Sequence, residues 1–391
     1  MLVAPASRRA VVVGRLAQHK SHLVRSPLEP VTHFLYGACL SRAGFTRKTA
    51  LATVTMVLAA EAPDIDMLWY FRGSAVGFAH HRGFTHTVFG IPFVAAAVLL
   101  LVFVLNYLYR RWRPLKPLPE HAPPRLAPRW GVLYGLACIA GYSHILLDFT
   151  NSYGVRPFFP VWNHWVAWDI VSVIEPILYV FLIGGLLLPS LFGLVNQEIG
   201  ARTRGPRGRS GAIAALILVA LVWGVRDYEH RRALAAMNAV LYKGSVATRL
   251  GAFPYEFTPF RWMGVAETSA NYQAFLVNSA EPEVDPGDRA ETYYKPQDSD
   301  AIRAAKDSYL GRAYLDWARF PIIEVEKRTD PVMYIVSFRD IRYAYPERRG
   351  IPLSAYVILD RSLRPVEQAF YTHNAIRNRL ERSPTPEEAQ P

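Results

Sequence analysis

Histidines and aspartates gather at the ends of apolar segments in the first half of the chain. The motif HHRGFTHT at 80–87 holds three histidines and one arginine, and SHILLDFTNSYG at 143–154 places His144 and Asp148 four residues apart. That spacing puts both side chains on one face of a helix. Ionisable groups beside lipid are costly unless they pair with each other or hold a cation. The pattern therefore favours a metal site.

Two further motifs supply residues that commonly bind metals. In PDID, a proline ends one helix, and Asp64 and Asp66 follow it, where two carboxylates could bind or bridge cations. The alternative is a helix-ending turn with solvated acids. His33 begins another apolar helix, where a single histidine is often structural. Asp169 and Glu175, at the outer end of a later apolar stretch, are additional candidates.

Arg82 lies beside an expected helix start. Thr85 is expected to cap a helix whose first turn contains His86, and helix starts attract anions. Arg82 adds a bidentate donor for phosphate or carboxylate, and its alternative role is an anchor among lipid head groups. For His144 and Asp148, the alternative is a simple hydrogen bond that locks two helices together.

Long apolar stretches must position these residues. The stretches 87–109, 131–149 and 170–194 are nearly free of charge and approach or exceed the roughly 20 residues needed to cross a bilayer. The stretch 211–225 is shorter and is predicted as a fourth span, extended by interfacial aromatic residues. Residues 31–62 could form a helical hairpin in the membrane or two helices packed on it. We therefore predict an all-α polytopic membrane domain with about four to five spans or re-entrant helices.

The net charge of +12 is concentrated beside the apolar stretches. One loop carries Arg110, Arg111, Arg113, Lys116, Arg125 and Arg129, and another carries Arg202, Arg204, Arg207 and Arg209. By the positive-inside rule both loops are cytoplasmic, so the histidine motifs and the residues from 230 onward lie on the opposite, periplasmic face. This distribution indicates the lipid bilayer as a partner and argues against nucleic acid.

The last third of the chain changes character. VMYIVSF at 332–338 and AYVIL at 355–359 are short, β-branched and aromatic, which is typical of strands. The stretch 281–300, rich in Pro, Asp and Gly, is predicted as a long loop. The predicted organisation is a cytoplasmic segment 1–30, a membrane-embedded helical domain 31–228, a soluble extracytoplasmic α+β domain 229–380 and a disordered tail 381–391.

The ordered motifs THFLYG (32–37), APDID (62–66), HHRGFTHT and SHILLDFTNSYG resemble the YdjM-like family of bacterial inner-membrane proteins, described as metal-dependent hydrolases. The similarity covers roughly residues 30–195. It implies a metal site formed by His33, Asp64, Asp66, His81, His86, His144 and Asp148. The D-x-D and H-x-x-x-D elements are also similar to those of zinc-dependent phospholipase C and single-strand nucleases, which points to phosphoester substrates.

A histidine and carboxylate set without thiolates suits zinc, with manganese as the alternative, and about seven ligands suit two ions better than one. The expected function is a metal-dependent hydrolase of the bacterial inner membrane that acts on an amphiphilic or lipid-linked phosphoester, with Arg82 and Asp66 as catalytic residues. Two alternatives stay open. One is a transporter with an intramembrane relay, and the other is a non-catalytic anchor with a structural metal.

Overall fold

The structure is a computed structural model that describes residues 29–113, 125–198, 208–281, 284, 286–287, 290–329, 332–348 and 350–370. Several predictions fall on other parts of the chain. Nearly all of the N-terminal segment 1–30, the tail 381–391, and the basic residues Lys116, Arg202, Arg204 and Arg207 lie outside the described residues.

Two short helices open the described chain. Helix α1 (Glu29–Arg42) and helix α2 (Ala52–Glu61) pack so closely that a Cβ atom on Gly37 would lie 2.8 Å from the Cβ of Ala60. Both arrangements expected for residues 31–62, a helical hairpin in the membrane and two helices packed on it, contain such a helix pair. A 3-10 helix, Ala62–Arg72, follows α2 directly, because the proline in its first turn disfavours continuation of the α-helix.

Three described helices are long and apolar enough to cross a membrane. They are α4 (Ile91–Trp112), α5 (Trp130–Thr150) and α7 (Arg209–Asn238), while α6 (Pro176–Glu198) contains a shorter apolar stretch, Pro176–Pro189. Within the most apolar part of α5, 56% of the residues are buried, against 22% in α4 and in α7. Helix α5 therefore lies at the centre of the helical region.

The start of the first long helix differs from the prediction. After α3 (Ser74–His80), residues Phe84–His86 form a 3-10 turn, and α4 begins only at Ile91. The prediction that Thr85 caps a helix is wrong, because its hydroxyl donates to the carboxylate of Asp66 across a distance of 3.3 Å. The Thr85 side chain therefore makes a tertiary hydrogen bond instead of capping a helix.

Helix α7 continues past the predicted domain boundary at 228. It packs tightly on α6, where the carbonyl oxygen of Gly185 lies 2.6 Å from the position a Cβ would take on Gly211. Near its other end, Ala233 and Met237 are buried beneath the first sheet of the C-terminal domain. One continuous helix therefore joins the helical region to the sheet domain.

The C-terminal domain contains two four-stranded antiparallel sheets, each with its strands in sequence order. The first comprises β1 (Arg249–Pro254), β2 (Arg261–Glu267), β3 (Asn271–Asn278) and β4 (Glu291–Tyr294). The second comprises β5 (Pro321–Thr329), β6 (Val332–Asp340), β7 (Ala355–Leu359) and β8 (Pro365–Phe370), preceded by helices α8 (Asp300–Lys306) and α9 (Tyr309–Trp317). The strands expected at 332–338 and 355–359 are confirmed, as is an antiparallel sheet. Strand β4 corrects the prediction that 281–300 is a loop throughout, because its ETYY segment pairs with β3.

Candidate metal centre

All seven predicted ligands converge at the C-terminal end of α5. Their potential ligand atoms form three groups, and the atoms within each group lie within 4.8 Å of one another. The groups are His33, His144 and Asp148; Asp64, His86 and His144; and Asp64, Asp66 and His81. Four separate chain segments supply these side chains: α1, the 3-10 helix Ala62–Arg72, the 81–86 segment and α5.

The centre of the cluster has the spacing of metal ligands. His86 Nε2 lies 3.1 Å from His144 Nε2 and 3.2 Å from Asp64 Oδ1, and His144 Nε2 lies 3.6 Å from the same oxygen. Asp148 Oδ2 lies 3.5 Å from His86 Nε2 and 3.3 Å from His144 Nε2. Ligand atoms in a tetrahedral zinc site with metal–ligand bonds of 2.0–2.1 Å are separated by about 3.3 Å. The distances therefore suit ligands that share an ion.

Hydrogen bonds turn both central histidines toward this point. His144 Nδ1 donates to the carbonyl oxygen of Ala60 at 2.7 Å, and His86 Nδ1 lies 3.1 Å from Asp66 Oδ2. Each ring thus presents its Nε2 atom to the cluster. Metal-binding histidines have this arrangement, in which the second ring nitrogen donates to a carbonyl or carboxylate.

The charge balance also fits a divalent cation. Asp148 Oδ2 is buried and faces the Nε2 atoms of His86 and His144 without a hydrogen bond of normal geometry, and His33 Nδ1 is buried with no hydrogen-bond partner among the described residues. The carboxylates of Asp64, Asp66 and Asp148 are accompanied by one guanidinium, that of Arg82, so two negative charges remain when the imidazoles are neutral. Buried charges need compensation, and a divalent cation would provide it.

The pKa values of the cluster residues outside the spanning helices reflect the same balance of charges. Burial alone would lower the pKa of His86, but the charge of Asp66, hydrogen bonds to Asp64 and Asp66, and the charge of Asp148 raise it to about 10. Burial alone would raise the pKa of Asp64 and Asp66, but nearby histidines hold both pKa values well below the usual range. Both carboxylates are therefore ionised, and a proton on His86 offsets part of their charge.

Arg82 holds a carboxylate of the cluster instead of facing outward. Its side chain is 1% exposed, and its Nη2 atom lies 2.8 Å from Asp148 Oδ1. Its Nη1 atom donates to the carbonyl oxygen of Gly154 at 2.8 Å, and the guanidinium lies 4.6 Å from the centre of the Tyr153 ring. The phosphate-binding role predicted for Arg82 would use the N–H groups of its guanidinium. In this structure those N–H groups are directed at Asp148 and Gly154.

The additional acidic candidates lie outside the cluster. Asp169 forms an ion pair with Arg319, and the carboxylate of Glu175 lies 2.8 Å from the guanidinium of Arg226. His80 is exposed and belongs to none of the three ligand groups. None of the three supplies an atom to the described ligand groups, although Glu175 lines a cavity together with His33 and Asp148.

The contacts that Thr85, Ala60 and Tyr153 make with the ligands could not be seen by the sequence reasoning. Thr85 donates to Asp66, the carbonyl of Ala60 accepts from His144, and the ring of Tyr153 lies 5.5 Å from that of His81. A backbone carbonyl leaves no signal in a sequence. Tyr153 does have one, because it lies in the SHILLDFTNSYG motif just after the helix that carries two ligands.

The sequence model of the YdjM inner membrane protein family matches residues 28–233, which is more than half of the 391-residue chain. The chain belongs to this family. The match contains all seven clustered residues and nearly all of the three long apolar helices, so this YdjM family member is an inner membrane protein.

Another family model covers part of the C-terminal domain. The YfhP C-terminal alpha/beta plait domain matches residues 300–380. The protein YfhP of Bacillus subtilis (strain 168) is 24% identical over 130 residues, which are 32% of this chain and 33% of YfhP. The chain thus spans about a third of the length of this curated relative. No solved structure matches the chain.

Proposed function

We propose that this YdjM family member is a metal-dependent hydrolase that cleaves a phosphoester of an amphiphile at the membrane surface. The observation that carries the proposal is the triangle of Asp64 Oδ1, His86 Nε2 and His144 Nε2, with sides of 3.1 to 3.6 Å. Within this triangle, the side chains of His86 and His144 are fully buried, whereas that of Asp64 is 23% exposed. A substrate can therefore reach the site from the side of Asp64.

Asp64, His86 and His144 are the residues that would hold the catalytic ion, with Asp148 beside them as a fourth donor that would complete a closed site. Their imidazole and carboxylate donors suit zinc, and manganese is the alternative. A divalent cation bound there would act as a Lewis acid and would lower the pKa of a water toward neutrality. His33 would support this set through Asp148, since its Nε2 atom lies 3.4 Å from Asp148 Oδ1.

Asp66 and His81 are suited to proton transfer beside the ion. His81 Nδ1 lies 3.2 Å from Asp66 Oδ1, and the side chain of His81 is 11% exposed, more than that of any other histidine in the cluster. A carboxylate that accepts from Nδ1 orients the ring and leaves Nε2 for a general acid or base. Arg82 would act by fixing the orientation of Asp148.

A stripe of exposed apolar side chains near Asp64, the partly exposed member of the triangle, supports the proposal that the substrate is amphiphilic. Ile65, Leu68 and Phe71 are 59%, 57% and 85% exposed and lie on the 3-10 helix that carries Asp64 and Asp66. Residues three apart lie on the same side of a 3-10 helix. The stripe would contact lipid, and a phosphoester at the head of a lipid would then lie next to the metal ligands.

A structural metal in a non-catalytic anchor is the second candidate. It is favoured by the number of central donors, because Asp64, His86, His144 and Asp148 together would complete a tetrahedral site. A catalytic site keeps one position for water or substrate. The two candidates therefore differ in turnover and not in metal content.

His144→Ala, compared with His80→Ala, tests the proposal. The full chain, purified in detergent, is analysed for bound metal and assayed on phosphodiesters and phospholipids with and without a chelator. We expect His144→Ala to weaken metal binding more than about 100-fold and to abolish hydrolysis, since loss of a ligand exceeds the 10–100-fold effect of outer residues. His80→Ala, an exposed control, should match the wild type.

Two results would count against this function. Full metal content in His144→Ala would remove the metal assignment. Stoichiometric metal in the wild type without hydrolysis of any substrate in the screen would favour the structural metal.

A further inference from the structure

The C-terminal domain holds the segment that leads into His81. Phe78, on α3, is buried, and its ring centre lies 5.3 Å from that of Trp317, 4.7 Å from that of Phe370 and 5.9 Å from that of Tyr314. Helix α3 ends one residue before His81. The position of His81, the proposed proton-transfer residue beside the ion, is therefore tied to the aromatic core of the second sheet.

Trp317 also holds the segment that follows the α5 ligands. Its Nε1 atom donates to the carbonyl oxygen of Tyr153 at 3.1 Å, and the two ring centres lie 5.0 Å apart. The Tyr153 ring in turn lies 5.5 Å from the ring of His81 and 4.6 Å from the guanidinium of Arg82. Because Arg82 binds Asp148, a chain of contacts runs from Trp317 to a predicted metal ligand.

Two arginines of the C-terminal domain hold the same region. Arg342, which pairs with Asp340 at 2.9 Å and is 1% exposed, donates to the carbonyl oxygen of Ser152 at 2.7 Å. Arg319 donates to both carboxylate oxygens of Asp169. Charged hydrogen bonds of this kind are among the strong ones in proteins. The 152–169 segment is therefore held from the side of the sheet domain.

We propose that the C-terminal domain forms part of the metal centre as a clamp, in which Trp317 is a positioning residue for His81 and for the Arg82–Asp148 pair. Trp317 contacts both ligand-bearing segments at once, through Phe78 on one side and Tyr153 on the other. Residues outside the ligand set fix the orientation of ligands, and their loss typically weakens metal affinity 10–100-fold. The inference rests on the metal centre of the proposed function and not on hydrolysis.

Trp317→Phe tests the clamp, with Trp262→Phe as the matched control. Trp262 lies in the first sheet, is 0% exposed, and its Nε1 atom has no hydrogen-bond partner among the described residues. The same atoms are thus removed from a buried tryptophan in each variant. Zinc affinity of the full chain in detergent is measured by competition with a chelator, and the Tm of the metal-free protein is recorded.

We expect Trp317→Phe to weaken zinc binding about tenfold or more and Trp262→Phe to leave it within about twofold, at comparable losses of Tm. Unchanged affinity in Trp317→Phe, or equal weakening in both variants, would overturn the clamp. A selective loss of affinity in a protein that hydrolyses nothing would leave the clamp intact and remove the proposed activity. A wild type that binds neither zinc nor manganese would overturn both.

Discussion

Two neighbouring imidazoles at the metal centre are oriented by different acceptors. His144 donates to the neutral carbonyl of Ala60, whereas His86 faces the ionised carboxylate of Asp66. A carboxylate makes the imidazole it orients more basic, so that it becomes a better metal ligand and also a better proton acceptor. His86 is therefore the residue at which a proton and a cation compete most directly.

Metal affinity should rise with pH. The pKa of His86 in the metal-free protein is about 10, so at neutral pH the ring carries a proton that an incoming cation must displace. Below that pKa, each unit of pH should raise the apparent affinity about tenfold for one displaced proton, and affinity should fall as the medium becomes more acidic. Isothermal titration in buffers of different ionisation enthalpy measures both the affinity and the proton release.

Asp66→Asn provides the internal control for this titration. Removing the carboxylate charge should lower the pKa of His86, because that charge is the strongest factor that raises it. The variant should release fewer protons at neutral pH. A wild-type affinity that is constant from about pH 6 to pH 8 would show that no proton is displaced from the site.

At the scale of an element, the 3-10 helix Ala62–Arg72 has two faces with different roles. Asp66 is 6% exposed and faces the histidines, while Ile65, Leu68 and Phe71 lie on the outer side. Phe84, in the 3-10 turn that precedes α4, and Phe93, in the first turn of α4, are also exposed, and their ring centres lie 6.1 Å apart. The exposed apolar side chains at the start of the spanning helix α4 therefore have exposed apolar neighbours on the 3-10 helix that carries Asp64 and Asp66.

A spin label at Phe71 should lie in lipid. The label is introduced as Phe71→Cys, with the chain's two cysteines, Cys39 and Cys138, replaced by alanine, and the protein is reconstituted in bilayers. Collisions with oxygen, which concentrates in lipid, should exceed collisions with a water-soluble nickel complex, since an exposed apolar stripe favours the hydrocarbon boundary. A label at Ser362, exposed in the C-terminal domain, should show the opposite ratio. Equal collision ratios for the labels at Phe71 and Ser362 would contradict the proposed contact between the apolar stripe and lipid.

Features set by nearby residues were predictable from the sequence, and features set by distant contacts were not. The spacing of His144 and Asp148 placed both on one helix face, and the β-branched run at 355–359 is strand β7. The pairing of Arg82 with Asp148 joins residues 66 positions apart, so it depends on how the helices pack. The predictions that Thr85 caps a helix and that 281–300 is a loop throughout were wrong for the same reason. In each case a tertiary partner, Asp66 for Thr85 and strand β3 for β4, decided the conformation.

At the scale of the whole molecule, basic groups and the metal centre occupy opposite ends of the long helices. Arg110 lies in the last turn of α4, and Arg209 begins α7 and donates to the carbonyl oxygen of Ala43 at 2.9 Å. The metal centre lies at the other ends of α4 and α5, where α7 also leads into the C-terminal domain. By the positive-inside rule, the end with the arginines should be cytoplasmic.

The C-terminal domain and the metal centre should therefore face the extracytoplasmic side. A membrane-impermeant maleimide should label Ser362→Cys in intact spheroplasts and should label Arg113→Cys only after lysis, because the second site lies at the arginine-rich end of α4. The same cysteine-free background serves for both variants. Labelling of Arg113→Cys in intact spheroplasts, with Ser362→Cys protected, would invert the orientation. The proposed hydrolase would then act on the cytoplasmic leaflet, with its metal ligands and clamp unchanged.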